Sequence, residues 1–432
     1  MIFNRKSVVQ ILREGHPSTL FAAFLYFDMS FMIWMLIGAL SLLIAQDLAL
    51  TPFQKGFLVA LPLLGGAFFR IVLGLLADRF GPKKVGMSSL TLTLVPLVWG
   101  WVGARSFPEL LGIALLLGIA GASFAVALPL ASRWYPPESQ GIAMGVAGAG
   151  NSGTLLAIFL APMLAVTYHF GWHGVFGLAI LPVLATLAVF WWLAREAPAT
   201  HSPKGARPYL ELLKVRDLWW FCLFYSTTFG GFVGLTSYLN ILYHDHYGMT
   251  FLVAGKLTAL AVFLGSFFRP VGGYLADQIG GVRLLIILFS LATLSFLSFG
   301  WFLPPILPAI FLVSIGVLSL GMGNGAIFQL VPQRFPAQVG IVSGIVGAAG
   351  GLGGFFLPTL LGSMKEVFHA EGTGFLIYGL VALSCVLAAL LKRKSWEETW
   401  AQGIPLPGVL QEEIPLEGIP AGRVPMEVVF GG

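Results

Sequence analysis

The sequence predicts an all-α membrane protein of twelve transmembrane helices in two six-helix halves, and three observations predict it. The chain is 57% hydrophobic and only 10% charged, whereas a soluble domain carries about a quarter charged residues; its mean hydropathy is +0.88. Apolar windows of about twenty residues, the length that crosses a bilayer as a helix, recur twelve times along the 432 residues. A stretch near residue 70 returns 199 residues later, as two related halves require.

In order, the spans are expected near 19–45, 53–77, 84–104, 109–132, 140–167 and 173–194 in the first half. In the second they are expected near 217–243, 250–276, 282–303, 305–331, 339–367 and 371–391. The first apolar run is too long for a signal peptide and leads straight into further helices. The halves are taken as 1–195 and 215–393, joined by a linker at 196–214 that carries Pro198, Pro203, Gly205 and Pro208. The tail, 394–432, is rich in Pro, Gly and Glu without a helical period, so loose packing is expected there.

Lysine and arginine collect in alternate loops. Arg5, Lys6, Arg13, Arg79, Lys83, Lys84, Arg133, Arg195, Lys204, Arg207, Lys214, Arg216, Arg283, Arg334 and the run Lys392-Arg393-Lys394 share one side. The opposite loops hold little beyond Lys55, Arg105, Lys256 and Lys365. The positive-inside rule then places both termini and the linker in the cytoplasm, in a multi-pass protein of the cell's inner membrane.

The repeated stretch is F-F-R-I-V-L-G-L-L-A-D-R-F-G from Phe68 to Gly81 and F-F-R-P-V-G-G-Y-L-A-D-Q-I-G from Phe267 to Gly280. Arg70 precedes the charged turn by eight residues, which at ~1.5 Å per residue puts it roughly 12 Å inside the membrane. A charge at that depth usually marks a substrate or ion pathway. Arg269 repeats it. The structural alternative is an arginine neutralised by a carboxylate, and the one mid-span carboxylate available is Asp28. One aspartate cannot neutralise two arginines. Arginine stays protonated, its planar fork suits oxyanions, and two forks facing one cavity specify a small anion.

Asp78, Arg79 and Gly81 and their repeat, Asp277 and Gly280, read as tight turns where the aspartate caps the next helix or pairs with a cation. Gly141, Gly145 and Gly148 in the fifth span recur as Gly340, Gly344 and Gly347 in the eleventh, with Gly150 nearby. Closely spaced glycines let helix backbones approach and slide, so these two helices are expected to form a moving contact beside a central site. Parallel repeats with the site at their junction are one transporter plan.

The loop signature G-L-L-A-D-R-F-G-P-K-K resembles that of the major facilitator superfamily. The arginine in each copy, with G-V-A-G-A-G-N-S-G (145–153) and G-I-V-G-A-A-G-G-L-G-G (344–354), is similar to the nitrate/nitrite porters within it. The resemblance covers all twelve spans and omits the tail. It implies that Arg70 and Arg269 clamp one nitrate or nitrite. It also implies contacts from Asn151, from Tyr225 and Phe229 in Y-S-T-T-F-G-G-F, and from Phe124 in G-A-S-F. Gly350 stands where Asn151 stands in the first half, so polar contact there would be one-sided. Read without the resemblance, Asn151, Asn324 and Gln329 could equally serve interhelical hydrogen bonds, and the aromatics could be packing.

Asp28, in F-D-M-S-F, is a candidate for proton coupling, for a static salt bridge to either arginine, or for a cap at a helix break. Its context resembles the proton-linked uptake branch more than the nitrate/nitrite exchange branch. The expected function is nitrate or nitrite transport by alternating access, with proton-coupled uptake first. Exchange, or carriage of another small organic anion, is the alternative. An anion channel would need a continuous open path, and an enzyme would need a motif absent here. The sequence offers no nucleotide loop, catalytic nucleophile or metal cluster, so neither cofactor nor metal is expected, and no basic face suggests nucleic acid. Cys222 and Cys385 lie in apolar runs as inert thiols, and His169, His173, His244 and His246 sit near the outer ends. By analogy with chains of this plan, it is expected to work as a monomer in the lipid bilayer.

Overall fold

A computed structural model describes residues 14–136, 140–198, 211–335, 338–369 and 371–401. The expected linker therefore lies largely outside the described residues, as does the tail beyond Ala401. Twelve helices long and apolar enough to span a membrane occur among the described residues. They are α1 (Pro17–Asp47), α2 (Pro52–Phe80), α3 (Pro82–Val102), α4 (Phe107–Ser132), α5 (Ala143–Thr167) and α6 (Gly171–Leu193), then α7 (Arg216–Asp245), α8 (Phe251–Ile279), α9 (Gly281–Phe302), α10 (Ile306–Arg334), α11 (Val339–Phe368) and α12 (Gly372–Trp396). α12 stays helical through Ala401, past the expected start of the loose tail at 394. The reason is packing: Trp396 is buried, its ring stacks on Phe221 at 5.4 Å, and its indole N–H reaches Asp217.

Proline does not end these helices. Pro62, Pro96, Pro129, Pro182 and Pro358 all lie within them, because packed neighbours and local adjustment satisfy the freed backbone groups. The turns after α2 and α8 instead end on Gly81 and Gly280, both at φ near +90° (91° and 92°), where a side chain would be strained. Asp78 does not cap the helix after it; its carboxylate accepts from Arg133 at 2.7 Å, tying α2 to α4. Arg79 is exposed beside Phe80, and Asp277 is exposed at the matching turn. The second half uses another pair there. Arg334 donates to Asp217 at 2.6 Å, joining α10 to α7.

Among the described residues the two halves touch chiefly along three helix pairs, with a lighter contact of α2 on α7, and the contact is closest toward the end opposite the linker. On α2 and α11, a methyl placed on Gly56 would lie 2.4 Å from the Pro358 carbonyl and one on Gly362 would lie 2.7 Å from the Pro52 carbonyl. On α1 and α7, Asn240 donates to the Gly38 carbonyl at 3.2 Å. On α5 and α8, Gly255 sits against Pro162. Lys55 of α2 donates to Asp245 of α7 at 2.7 Å, Lys365 approaches the same oxygen at 3.5 Å, and Glu366 accepts from the Phe53 amide at 2.8 Å. Toward the linker end, Gly145, Gly148, Gly340 and Gly344 would each point a methyl into open space. Among the described residues these glycines thus do not form the close contact expected of them in this conformation, in which the helices are sealed at the far end and stand apart at the linker end. Close approach is made deeper in the same helices, by Gly150 and Gly153 against α1 and by Gly350, Gly351, Gly353 and Gly354.

Candidate functional site

Five of the spanning helices depart from regular geometry at about the level of the repeated arginines. α1 breaks at Met35, directly after Trp34. α4 breaks at Ala122–Ser123, directly before Phe124. α5 tightens into a 3-10 turn over Ala149–Ser152, which contains Asn151. α7 widens into a π turn over Ser226–Gly230, between Tyr225 and the residues beyond Phe229. α8 breaks at Phe268, where Pro270 follows Arg269; at the same place in α2, Ile71 lets the helix run on. Such defects concentrate at functional sites because they re-aim side chains and free backbone groups.

Arg70 is the centre of this layer and is only 2% exposed. Its Nε donates to the carbonyl of Gly121, at the α4 break, at 3.1 Å. Its Nη1 donates across the junction to the carbonyl of Gly347 in α11 at 2.5 Å. The guanidinium carbon lies 5.0 Å from the Phe229 ring, 5.5 Å from Trp34 and 5.8 Å from Phe124. Among the described residues it makes no ion pair. A guanidinium has five N–H donors, and two are engaged, so three remain for a ligand.

Arg269 is half-buried; it is hydrogen-bonded to the Tyr225 hydroxyl and lies 5.3 Å from the Phe328 ring. Tyr225 and Phe229 are parallel, with centroids 5.0 Å apart and planes 3° off. Gly350 permits this: a methyl there would lie 2.6 Å from the Tyr225 ring and 3.0 Å from Phe229. The glycine that replaces Asn151 in the second half therefore makes room for an aromatic pair. Phe328 stands edge-on to Tyr225 and meets Phe124, and Trp34 lies nearly parallel to Phe229 at 6.4 Å. The rings form a wall contributed by both halves.

The structure thus brings Arg70, Arg269, Tyr225, Phe229 and Phe124 together. Asn151, 3% exposed, faces the same junction; its amide nitrogen donates to Ser266 of α8 at 3.1 Å, and its side-chain oxygen has no partner among the described residues. The Asn324 side-chain oxygen, one turn before Phe328, is likewise buried without a partner among the described residues. Asp28 stands apart. Its carboxylate accepts from Ser152 at 2.6 Å, and its backbone packs on Gly150 and Gly153. The salt bridge to an arginine weighed from the sequence is therefore not formed, because Asp28 faces α5. Trp34 and Phe328 were not distinguished in the sequence, where aromatic residues are too common in apolar helices for either to stand out. Trp34 is fixed by its N–H, which donates to the Pro62 carbonyl at 2.7 Å.

What this layer can do chemically is hold a small, flat anion. Two fixed positive charges supply the attraction, a low-dielectric surround strengthens it, and ring faces limit the size. A profile of the Major Facilitator Superfamily matches residues 22–358. The chain belongs to the major facilitator superfamily. Within this superfamily it falls among the nitrate/nitrite porters, as the arginine and glycine motifs imply. It is 36% identical over 362 residues to the "Nitrite extrusion protein" of Bacillus subtilis, covering 82% of this chain and 89% of that one. It is 33% identical over 409 residues to the "Probable nitrate/nitrite antiporter NarK1" of Thermus thermophilus, covering 86% and 90%. Among solved structures, the crystal structure of a D-xylose-proton symporter superposes with a TM-score of 0.70 at 19% identity, covering 91% of this chain and 99% of that one. That likeness extends to the fold of this facilitator alone.

Proposed function

We propose that this facilitator carries nitrate and nitrite across the cytoplasmic membrane by alternating access, with the anion held between Arg70 and Arg269. The observation that carries the reading is the buried Arg70 guanidinium, which has spare donors and no ion-pair partner among the described residues. A cation kept there without a carboxylate is costly, and a bound oxyanion supplies the missing charge. The aromatic wall and the Asn151 amide favour a small planar ion over a bulky organic one. The loaded halves then close more readily than the empty ones, because the anion screens the two arginines from each other; this is the differential affinity a ligand-driven shift requires.

Exchange of one anion for another is the coupling this geometry favours. Closing the empty carrier brings two unneutralised arginines together, so each passage is easiest with an anion aboard. The name of the Thermus thermophilus relative points the same way. Proton-linked uptake is the second reading, favoured by Asp28, a buried carboxylate that accepts from Ser152, the residue after Asn151 in α5. The loop lysines and arginines put the linker and both termini in the cytoplasm, so the linker-end opening faces inward. We take the working unit as a single chain with no enzymatic step.

Proteoliposomes test this directly. Labelled nitrate is offered to vesicles that are empty, loaded with nitrite, or placed under a proton gradient, with wild type and Asp28→Asn side by side. Exchange predicts uptake with internal nitrite in both proteins. Proton linkage predicts gradient-driven uptake that Asp28→Asn abolishes. Absence of nitrate or nitrite flux in every condition would sink the anion assignment.

A further inference from the structure

We infer that the groove between α5 and α8, at the end away from the linker, is a binding site for one anionic phospholipid. The groove encloses about 160 Å³, is partly open, and is bordered by the exposed Phe159 and Tyr168. Its walls are Ile158, Phe159, Pro162 and Met163 from α5 and Leu252 from α8, and Lys256 stands on its rim. Apolar walls suit an acyl chain, and the one charge suits a headgroup of opposite sign.

Two features make this more than ordinary lipid-facing surface. The first is shape. α5 ends in a π turn over Met163–Thr167, and Gly255 of α8 faces the Ile158 carbonyl and Pro162, where a methyl on it would lie at 3.5 and 3.4 Å, so the two helices together close the floor of the groove. The second is charge. Lys256 is exposed, makes no ion pair among the described residues and lies in the second turn of α8. At ~1.5 Å per residue that is roughly 8 Å from the helix start at Phe251, a depth from which lysine extends its amine to the interface. Exposed Tyr168 and Phe159 flank the mouth, and aromatic residues favour that level.

The site also bridges the halves, since α5 belongs to the first and α8 to the second. The same two helices meet deeper down through Asn151 and Ser266. Alternating access must separate the far ends of these helices, so a lipid wedged there favours the conformation described here. This inference goes beyond the anion reading and stands without it.

The test measures lipid, not transport. The full-length protein, purified in neutral detergent, is given equal parts of phosphatidylglycerol and phosphatidylcholine with the same acyl chains, washed, and assayed for retained lipid by mass spectrometry. Wild type should retain the anionic lipid in about fivefold excess, the factor one lysine near a headgroup supplies. Lys256→Gln should bring the two lipids to parity. Leu252→Trp, which fills the groove, should lower retention of both. Unchanged phosphatidylglycerol excess in Lys256→Gln, or undiminished retention in a folded Leu252→Trp, overturns the site. Neither residue touches the arginine layer, so failure here leaves the anion reading intact.

Discussion

Arg70 of the first half donates to the backbone carbonyl of Gly347 in the second at 2.5 Å. This single bond makes the central arginine a sensor of how the halves are set against each other. If α11 swings away from α2, the guanidinium loses that acceptor and must find another. A nitrate oxygen can serve, and unlike the carbonyl it brings a negative charge and a planar pair of oxygens that match the guanidinium fork.

Arg70→Lys is expected to keep the fold and lose the anion. An ammonium keeps the charge but cannot serve Gly121, Gly347 and a planar ligand at once, as the fork does. Losing one charged hydrogen bond costs about 2 kcal/mol, or roughly thirtyfold in nitrate affinity. Nitrate-dependent thermal stabilisation of the purified protein reads this directly. Arg269→Lys should cost less, since Arg269 is half-buried and rests on Tyr225. Equal stabilisation of wild type and Arg70→Lys by nitrate would remove Arg70 from the site.

The glycines of α11 should separate into two classes on alanine substitution. A methyl on Gly350 meets Tyr225 and Phe229 at 2.6 and 3.0 Å, so Gly350→Ala pushes the ring pair apart and costs about 1–3 kcal/mol by overpacking. A methyl on Gly344 meets nothing within 4 Å. Gly344→Ala should therefore be neutral or stabilising by up to about 1 kcal/mol from helix propensity, yet slow the cycle if that face closes in the other conformation. Melting temperature and exchange rate measured together separate the cases. A fast, fully active Gly344→Ala would mean this face never closes.

The spans and the paired arginines were legible because burying a chain in lipid demands about twenty apolar residues at a time, and a charge inside such a run stands out. The layer around the arginines was less legible. Hydropathy averages over a whole span, whereas the breaks at Met35, Ala122–Ser123 and Phe268 and the turns at Ala149–Ser152 and Ser226–Gly230 are each short and local. Pro270 alone marked one of them; Pro62 and Pro358 sit in helices that run on. Asp28 illustrates the same limit. Its chemistry was plain, but which face of α1 it occupies depends on Gly150 and Gly153 admitting α5 against it.

The continuation of α12 beyond Lys394 should be needed for stability. Trp396 is 2% exposed, stacks on Phe221 and meets Phe224, and shares Asp217 with Arg334. Removing a buried tryptophan costs about 3–5 kcal/mol. Trp396→Ala should lower the melting temperature clearly, whereas Trp396→Phe, which keeps a ring on Phe221, should recover much of the loss. Equal melting of wild type and Trp396→Ala would show that the helix end is not anchored by this side chain.

The far-end seal should loosen when Asp245 loses its charge. Asp245 holds Lys55 from the first half and Lys365 from the second. Its partial burial, with 12% side-chain exposure, places the pair with Lys55 near the upper end of surface ion pairs, about 1 kcal/mol. Asp245→Asn removes both attractions and leaves the lysines repelling each other, which favours opening by about fivefold or more. Ser237→Cys reports it. Ser237 is 1% exposed and lies beside Met35 across the junction, while the native Cys222 and Cys385 are buried elsewhere. Labelling of the introduced thiol by a membrane-impermeant reagent should therefore rise severalfold when Ser237→Cys is combined with Asp245→Asn. Nitrate should shift that labelling further, because the same rearrangement that frees Lys55 carries α2 and Arg70 with it. Labelling that is the same with and without the Asp245 carboxylate would mean that α2 and α11 packing, through Gly56 and Gly362, seals this end alone.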